Sequence, residues 1–191
     1  SSDDRHREAY NLYHLGFLHC RLGQYRTAIT FLEEAIFTLR ELNDPWALAE
    51  ALAYYAWTLN KNSQPQPART AIIEALRVGR ETRQETVMME YTAILGAIAR
   101  SLGDLSLANA CARQAINFID KQGTQGIEHP EIVYLTCFET LKAKRTEQAV
   151  EVLMRGQQHI QTQVAQIDEA DLQSAYLTNV AEVREILKHA D

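Results

Sequence analysis

The chain has 191 residues, of which 46% are apolar, and its formal net charge at pH 7 is −6. This charge, without a dense run of Lys and Arg, argues against nucleic-acid binding, which depends on neutralising phosphates. The sequence has neither an apolar run near the roughly 18 residues that a membrane span needs nor a signal-peptide pattern. Eight glycines and four prolines are too few for a low-complexity chain, so we expect a continuous apolar core.

Small residues recur along the chain at a fixed step of 40 positions. Three such series are present: Gly16, Ala56 and Gly96; Ala28, Ala68 and Ala108; Ala35, Ala75 and Ala115. A period of this size is typical of stacked helical repeats, in which each unit needs its neighbours to bury its apolar face. Two helices can approach closely only where a side chain is very small. The series therefore predict helix pairs that touch at these positions.

The first two helix pairs are bounded by turn and cap residues. The first pair is predicted over about 5–21 and 25–42, with Gly23 in the turn, where a left-handed residue ends a helix without steric cost. Asn43, Asp44 and Pro45 then end one helix, cap the next and start its first turn. We assign the first two repeats to about 5–43 and 44–83.

The third and fourth repeats are separated by the clearest loop in the chain, over 122–130. We assign these repeats to about 84–129 and 130–167, with the small positions of the last at Ala149 and Gly156. From Asp168 onward one apolar face runs along a single helix, which is predicted to cap the array over 168–191. The alternative is that this helix folds back into the concave groove as an internal plug.

The first repeat resembles the tetratricopeptide family. Its pattern is Leu-x-x-Leu-Gly followed by Gly-x-Tyr and two spaced alanines, carried by Leu12, Leu15, Gly16, Gly23, Tyr25, Ala28, Leu32 and Ala35. The resemblance implies an all-α fold, a right-handed superhelical array of antiparallel helix pairs with a C-terminal capping helix. The 40-residue step and the segment 175–187 also resemble the C-terminal repeat regions of bacterial signalling ATPases, nucleotide cyclases and maltose-regulator-type transcription activators. The chain would then be the sensor or docking part of a longer bacterial protein.

No catalytic motif is recognisable in the sequence. His14 and His19 lie five residues apart, which on a helix turns them about 140° from each other, so they do not form a metal site with Cys20. We therefore expect no enzymatic activity, no cofactor and no metal. Cys20, Cys111 and Cys137 lack the spacing of a paired motif and are expected to be reduced, buried thiols in a cytoplasmic protein.

A binding groove is the better candidate for a functional site. In a tetratricopeptide array the first helix of each unit lines the concave surface, which places Phe17, Trp57, Ala97 and Phe138 at equivalent positions. Aromatic residues are enriched at binding hot spots, although the same stripe can be core. Trp57 in particular is expected to be partly exposed. The predicted groove consists of Tyr13, Phe17, Tyr54, Trp57, Asn60, Lys61, Arg100, Tyr134 and Phe138.

Three functions fit such a groove. The leading one is a protein-interaction scaffold that holds a peptide or helix, including an effector domain of the same polypeptide. A small-molecule sensor, for example for a sugar, is the first alternative. Self-association into a homo-oligomer is the second. None of the three involves direct contact with nucleic acid or a membrane.

Overall fold

A computed structural model describes residues 2–83, 85–144 and 147–189, and all regular structure in these ranges is helical. The prediction of an all-α fold is confirmed. One short 3₁₀ turn, Lys142–Lys144, follows the seventh α-helix. The α-helices are α1 (Ser2–Arg21), α2 (Tyr25–Leu42), α3 (Pro45–Lys61), α4 (Pro65–Glu81), α5 (Val87–Ser101), α6 (Leu105–Gln122), α7 (Pro130–Leu141), α8 (Glu147–Ala165), α9 (Ala170–Asn179) and α10 (Ala181–Leu187).

The helix ends follow from local sequence. Asn43 adopts the left-handed conformation at the end of α2, and the Asp44 carboxylate accepts a hydrogen bond from the Ala47 amide at 3.1 Å. Asp104 caps α6 in the same way, through the Leu107 amide at 3.0 Å. Gly23 takes a positive φ in the first turn, and in the second repeat Ser63 adopts this conformation in the place of glycine. These turns are tight, so each helix returns antiparallel to the one before it.

The helices pack as consecutive pairs, α1 with α2 through α7 with α8, in the manner of an α-solenoid. Successive pairs join through the second helix of one pair and the first helix of the next, and the first helices α1, α3, α5 and α7 also lie side by side. The small positions lie where partners touch, and a Cβ added to Gly16 would sit 2.6 Å from Leu32 Cγ. The predicted burial of the contact residues is confirmed for Gly16, Ala28, Ala35, Gly96, Ala108 and Ala115.

The C-terminal segment differs from the single helix expected. It is broken at Val180, whose backbone is extended, so the described part of this segment forms two helices. No side chain of α9 is fully buried, whereas α10 buries Glu182, Val183 and Ile186 against α7 and α8. None of the helices in the described ranges is both long and apolar enough to cross a membrane.

Candidate functional site

The first helices of the four pairs form what we call the inner face, the surface made by α1, α3, α5 and α7. This row curves so strongly that its two ends meet. Arg21, at the end of α1, forms an ion pair with Glu131, in the first turn of α7. Residues that are 110 positions apart in the chain are therefore in direct contact.

The expectation that Trp57 is partly exposed was wrong. The six aromatic residues predicted for the groove are all buried, and Trp57 is 3% exposed. The physical reason is that the chain covers its own inner face, with the loop 123–129 on one side and α10 on the other. The buried aromatic residues are Tyr13, Phe17, Tyr54, Trp57, Tyr134 and Phe138.

The loop 123–129 reaches the inner face through His129. Its ring lies 4.6 Å from that of Phe17, and its Nε2 lies 3.1 Å from the Tyr54 hydroxyl. The His129 backbone amide donates to Glu90 at 3.0 Å. Burial alone would lower the pKa of His129, but the hydrogen bond to Glu131 and the charge of Glu90 outweigh it and raise this pKa. The loop is thereby fastened to α1, α3 and α5.

A polar cluster lies beside this contact and contains the donor set that could hold a metal ion. One ligand atom each from His14, Glu50 and Glu128 lies within 4.8 Å of the others. The Glu50 carboxylate accepts from the hydroxyls of Tyr54 at 2.8 Å and Tyr13 at 3.2 Å. Burial, together with the neighbouring carboxyl of Glu128, raises the pKa of Glu50 to about 7. The Glu50 carboxyl can therefore gain or lose a proton near neutral pH.

Sequence reasoning missed this cluster because it compared His14 with its neighbours in the chain. The partners of His14 come instead from α3 and from the loop 123–129, which only the folded array brings together. His14 Nε2 is buried and has no hydrogen-bond partner among the described residues. The sequence signal that was available is the position of His14 next to Tyr13, a residue predicted to face the groove.

A second polar cluster joins α1, α3, α7 and α10. Glu182, from α10, accepts a hydrogen bond from the Trp57 indole nitrogen at 3.2 Å and forms an ion pair with Arg21 at 3.4 Å. Burial opposes the charge on Glu131, but its hydrogen bond to His129 and the Arg21 guanidinium lower the pKa of Glu131 to about 2. Arg21 thus lies between two buried carboxylates, one from the array and one from the C-terminal segment.

A cavity of about 570 Å³ remains between α10 and the inner face. Four predicted groove residues line it, namely Trp57, Asn60, Lys61 and Arg100, and the Lys61 ammonium lies 4.8 Å from the centroid of the Trp57 ring. Five Lys and Arg side chains line this cavity, compared with two Glu side chains. The charged lining residues are Lys61, Arg100, Lys142, Arg184, Lys188, Glu139 and Glu185. The cavity is therefore suited to anionic groups.

The other predicted residues lie elsewhere. Phe17 and Tyr54 contact His129 of the loop 123–129, and Tyr13 donates to Glu50 beside this contact. Tyr134 packs against the position of Gly156 on α8. The Phe138 ring lies 4.8 Å from that of His189, just beyond α10. The nine predicted residues thus divide between the cavity, the loop contact and the packing of the C-terminal segment.

Comparison with known proteins identifies one family on the N-terminal half. The sequence model of the family described as anaphase-promoting complex subunit 5 matches residues 1–63 and again residues 60–102, which together are just over half of the chain. No curated protein matches the chain. The tandem match covers α1 to α5 and supports a helical-repeat family, but not the bacterial long-repeat variety in particular.

Proposed function

We propose that this chain, which belongs to the helical-repeat family described as anaphase-promoting complex subunit 5, is a non-catalytic scaffold that binds another protein on its inner face. The observation that carries the proposal is the basic cavity between α10 and the inner face. Repeat arrays offer extended concave surfaces of this kind to their partners. The partner segment that fits the cavity is a peptide or helix rich in Asp and Glu.

The charge of the cavity supports a specific role because it opposes that of the whole molecule. The chain carries a net charge of −6, yet five cationic side chains meet at this one place. Some are already paired, such as Lys142 with Glu139 and Lys188 with Glu185. Among the described residues, Lys61 and Arg184 have no carboxylate within ion-pair distance. These charges are available to attract and orient an acidic segment.

The finer assignment is to the C-terminal repeat region of a larger bacterial signalling or regulatory protein. It is supported by the 40-residue step and by the terminal segment, and it makes an effector domain of the same polypeptide one candidate partner. Cys20, Cys111 and Cys137 are free and buried, as in proteins of a reducing compartment such as the cytoplasm. Sequencing the complete gene would test this assignment directly.

A small-molecule sensor is the second candidate, and the enclosed volume is what favours it. A cavity of about 570 Å³ lies within the usual size range of ligand pockets. An anionic metabolite or sugar acid that fills it would raise the melting temperature in proportion to its concentration and affinity. A thermal-shift screen of such compounds distinguishes this candidate from a protein scaffold.

Selection of short random peptides displayed on phage tests the scaffold. We expect the selected peptides to be acidic and to lose about tenfold or more in affinity for the variant Lys61→Glu/Arg100→Glu, measured by fluorescence anisotropy. The matched control is Arg69→Glu, the same charge reversal at an exposed position of α4. Equal binding by the double variant and the control would place binding outside the inner face and overturn the proposal.

A further inference from the structure

We infer that the inner face contains a recognition site for a helix with an acidic residue in its first turn followed by apolar residues. In this structure α10 occupies the site as an internal ligand. The inference rests on the proposed function and specifies its binding site. The partner it defines is an acidic amphipathic helix of another protein, which replaces α10 on α3, α7 and α8.

The way in which α10 is seated defines what the site recognises. Glu182 is 1% exposed, and its Oε1 accepts from the Trp57 indole while its Oε2 faces Arg21 Nε at 3.4 Å. Val183 and Ile186, at the next position and one turn later, are completely buried in the core of α7 and α8. The recognised pattern is therefore a carboxylate followed by apolar residues at +1 and +4 on one helix face.

The polar contacts of α10 are incomplete, which makes the segment replaceable. Arg21 Nε and Glu182 Oε2 are both buried, and neither has a hydrogen-bond partner among the described residues. A ligand carboxylate that kept the hydrogen bond from Trp57 and also accepted one from Arg21 Nε would satisfy a donor that α10 leaves without a hydrogen bond. Such a carboxylate would make one hydrogen bond more than Glu182 makes here.

The connection of α10 to the array is also weak. α10 has only seven residues, and α9, which connects it to α8, has no fully buried side chain. Val180 interrupts the helical hydrogen bonding between α9 and α10. Segments with few buried contacts open at low free-energy cost relative to global unfolding, so α10 can leave while the eight paired helices stay folded.

The charges of α10 show how an external ligand would improve on it. Arg184 and Lys188 of α10 line the same cavity as Lys61, Arg100 and Lys142. Glu139 pairs with Arg100 and Lys142, and Glu185 pairs with Lys188, which leaves Lys61 and Arg184 as the cations of the cavity without a carboxylate in ion-pair distance among the described residues. Like charges at close range are unfavourable in a partly enclosed site. A helix with acidic residues in place of Arg184 and Lys188 would pair with the array instead. This is the reason for assigning the site to an acidic partner.

The experiment uses the whole chain and a fluorescent peptide of residues 168–189. We expect the protein variant Glu182→Gln to bind this peptide about tenfold more tightly than wild type, because the internal competitor is weakened. The matched control is Glu169→Gln, the same change in the C-terminal segment at an exposed residue that does not line the cavity, and it should bind like wild type. Equal affinities for both variants would overturn the inference.

Changes in the peptide test the recognition pattern itself. The substitution Glu182→Gln in the peptide should weaken binding about tenfold, and Arg184→Glu with Lys188→Glu should strengthen it. Trp57→Phe in the protein keeps an aromatic ring but removes the indole donor from both the peptide and α10. We therefore expect the affinity difference between the peptide and its Glu182→Gln version to shrink in this variant, whether or not the protein variant Glu182→Gln folds well. Circular dichroism establishes the fold of each variant.

The outcomes separate this inference from the proposed function. If phage-selected acidic peptides lose affinity for Lys61→Glu/Arg100→Glu while the peptide of residues 168–189 binds no variant, the scaffold stands and the internal ligand is refuted. If neither kind of peptide responds to inner-face variants, both proposals fail.

Discussion

Single small side chains set how closely the paired helices approach. Ala108 on α6 is completely buried, and its carbonyl oxygen lies 3.7 Å from the position of a Cβ on Gly96 of α5. A Cβ on Gly96 would also lie 3.0 Å from Cys111 Cβ, which is tighter than an ordinary van der Waals contact, so α6 would have to move to admit it. The small residues that recur every 40 positions in the sequence lie at these contacts. The burial of these residues between paired helices could therefore be predicted without a structure.

Replacing Ala108 by Leu should lower the free energy of unfolding by about 1–3 kcal/mol, because the added methyl groups force α5 and α6 apart. Urea denaturation measures the effect. Ala110→Leu is the control, since Ala110 is exposed on the same helix, and we expect it to change stability little. Equal stabilities of the two variants would contradict the contact assigned to Ala108.

Buried carboxyls make stability depend on pH in two opposite directions. Burial raises the pKa of Glu90 to about 7 despite the opposing effect of His129, so its stabilising contribution is present below its ordinary pKa and is lost as pH rises through 7. Glu131 has a pKa lowered to about 2, so its contribution is present above its ordinary pKa and is lost as pH falls toward 2. The protein should therefore be most stable in weakly acidic solution.

The variant Glu90→Gln tests the upper limit of this window. Glutamine can still accept from the His129 amide but does not ionise, so near pH 8 the variant should be more stable than wild type by up to about 3 kcal/mol. Near pH 5 the two proteins should have similar stabilities. Thermal unfolding followed across this range measures the difference, with Glu8→Gln at an exposed position as the control. Parallel pH profiles for Glu90→Gln and wild type would contradict the assignment.

At the scale of whole elements, periodicity and caps predicted the eight paired helices but not the form of the C-terminal segment. Its apolar face continues at helical spacing through Val180, and no Gly or Pro marks a break. The break at Val180 lets Glu182 reach Trp57, 125 positions earlier in the chain, and Val183 enter the core of α7 and α8. Such long-range contacts override local propensity, and no sequence pattern encodes their partners.

The segment combines the two roles that the sequence left open. Deleting residues 168–191 should expose the apolar surface around Val152 and Ile160 on α8, as removal of a cap does. We expect the truncated protein to bind a hydrophobic dye and to melt at a lower temperature. A control that lacks only residues 190–191 should behave like the full chain. A truncated protein with an unchanged melt and no dye binding would mean that α9 and α10 only fill the groove.

At the scale of the whole molecule, the sequence predicted an array of helix pairs. The structure shows in addition that the first inner helix, α1, contacts the fourth, α7. A groove open to solvent was expected, and the nine residues assigned to it do lie on first helices or at their ends. The loop 123–129 and α10 fill that space, because the aromatic surface is too apolar to remain exposed. Their partners are set by curvature, which depends on the sum of many small packing angles and cannot be obtained from a repeat pattern.

The ion pair between Arg21 and Glu131 has a consequence for how the molecule comes apart. A solenoid normally behaves as a one-dimensional chain of units, and its end units fray independently. Here the first inner helix is fastened to the fourth, so the N-terminal pair cannot open without breaking a buried contact with α7. We call this Arg21–Glu131 ion pair the clasp. Because it joins the first helix pair to the fourth, we expect the array to unfold in a single all-or-none transition.

Hydrogen exchange can detect the clasp. In Arg21→Gln the amides of α2 should exchange faster than those of α6, while in wild type both exchange together through global unfolding. Arg40→Gln is the control, since it removes an exposed ion pair with Glu74 between neighbouring pairs and should leave the common exchange intact. If amide exchange in Arg21→Gln became faster by the same factor in all helices, the ion pair would contribute to global stability without preventing the N-terminal pair from opening separately. A partner that drew Arg21 toward its own carboxylate would break this ion pair with Glu131, so binding at the inner face would itself loosen the N-terminal helix pair.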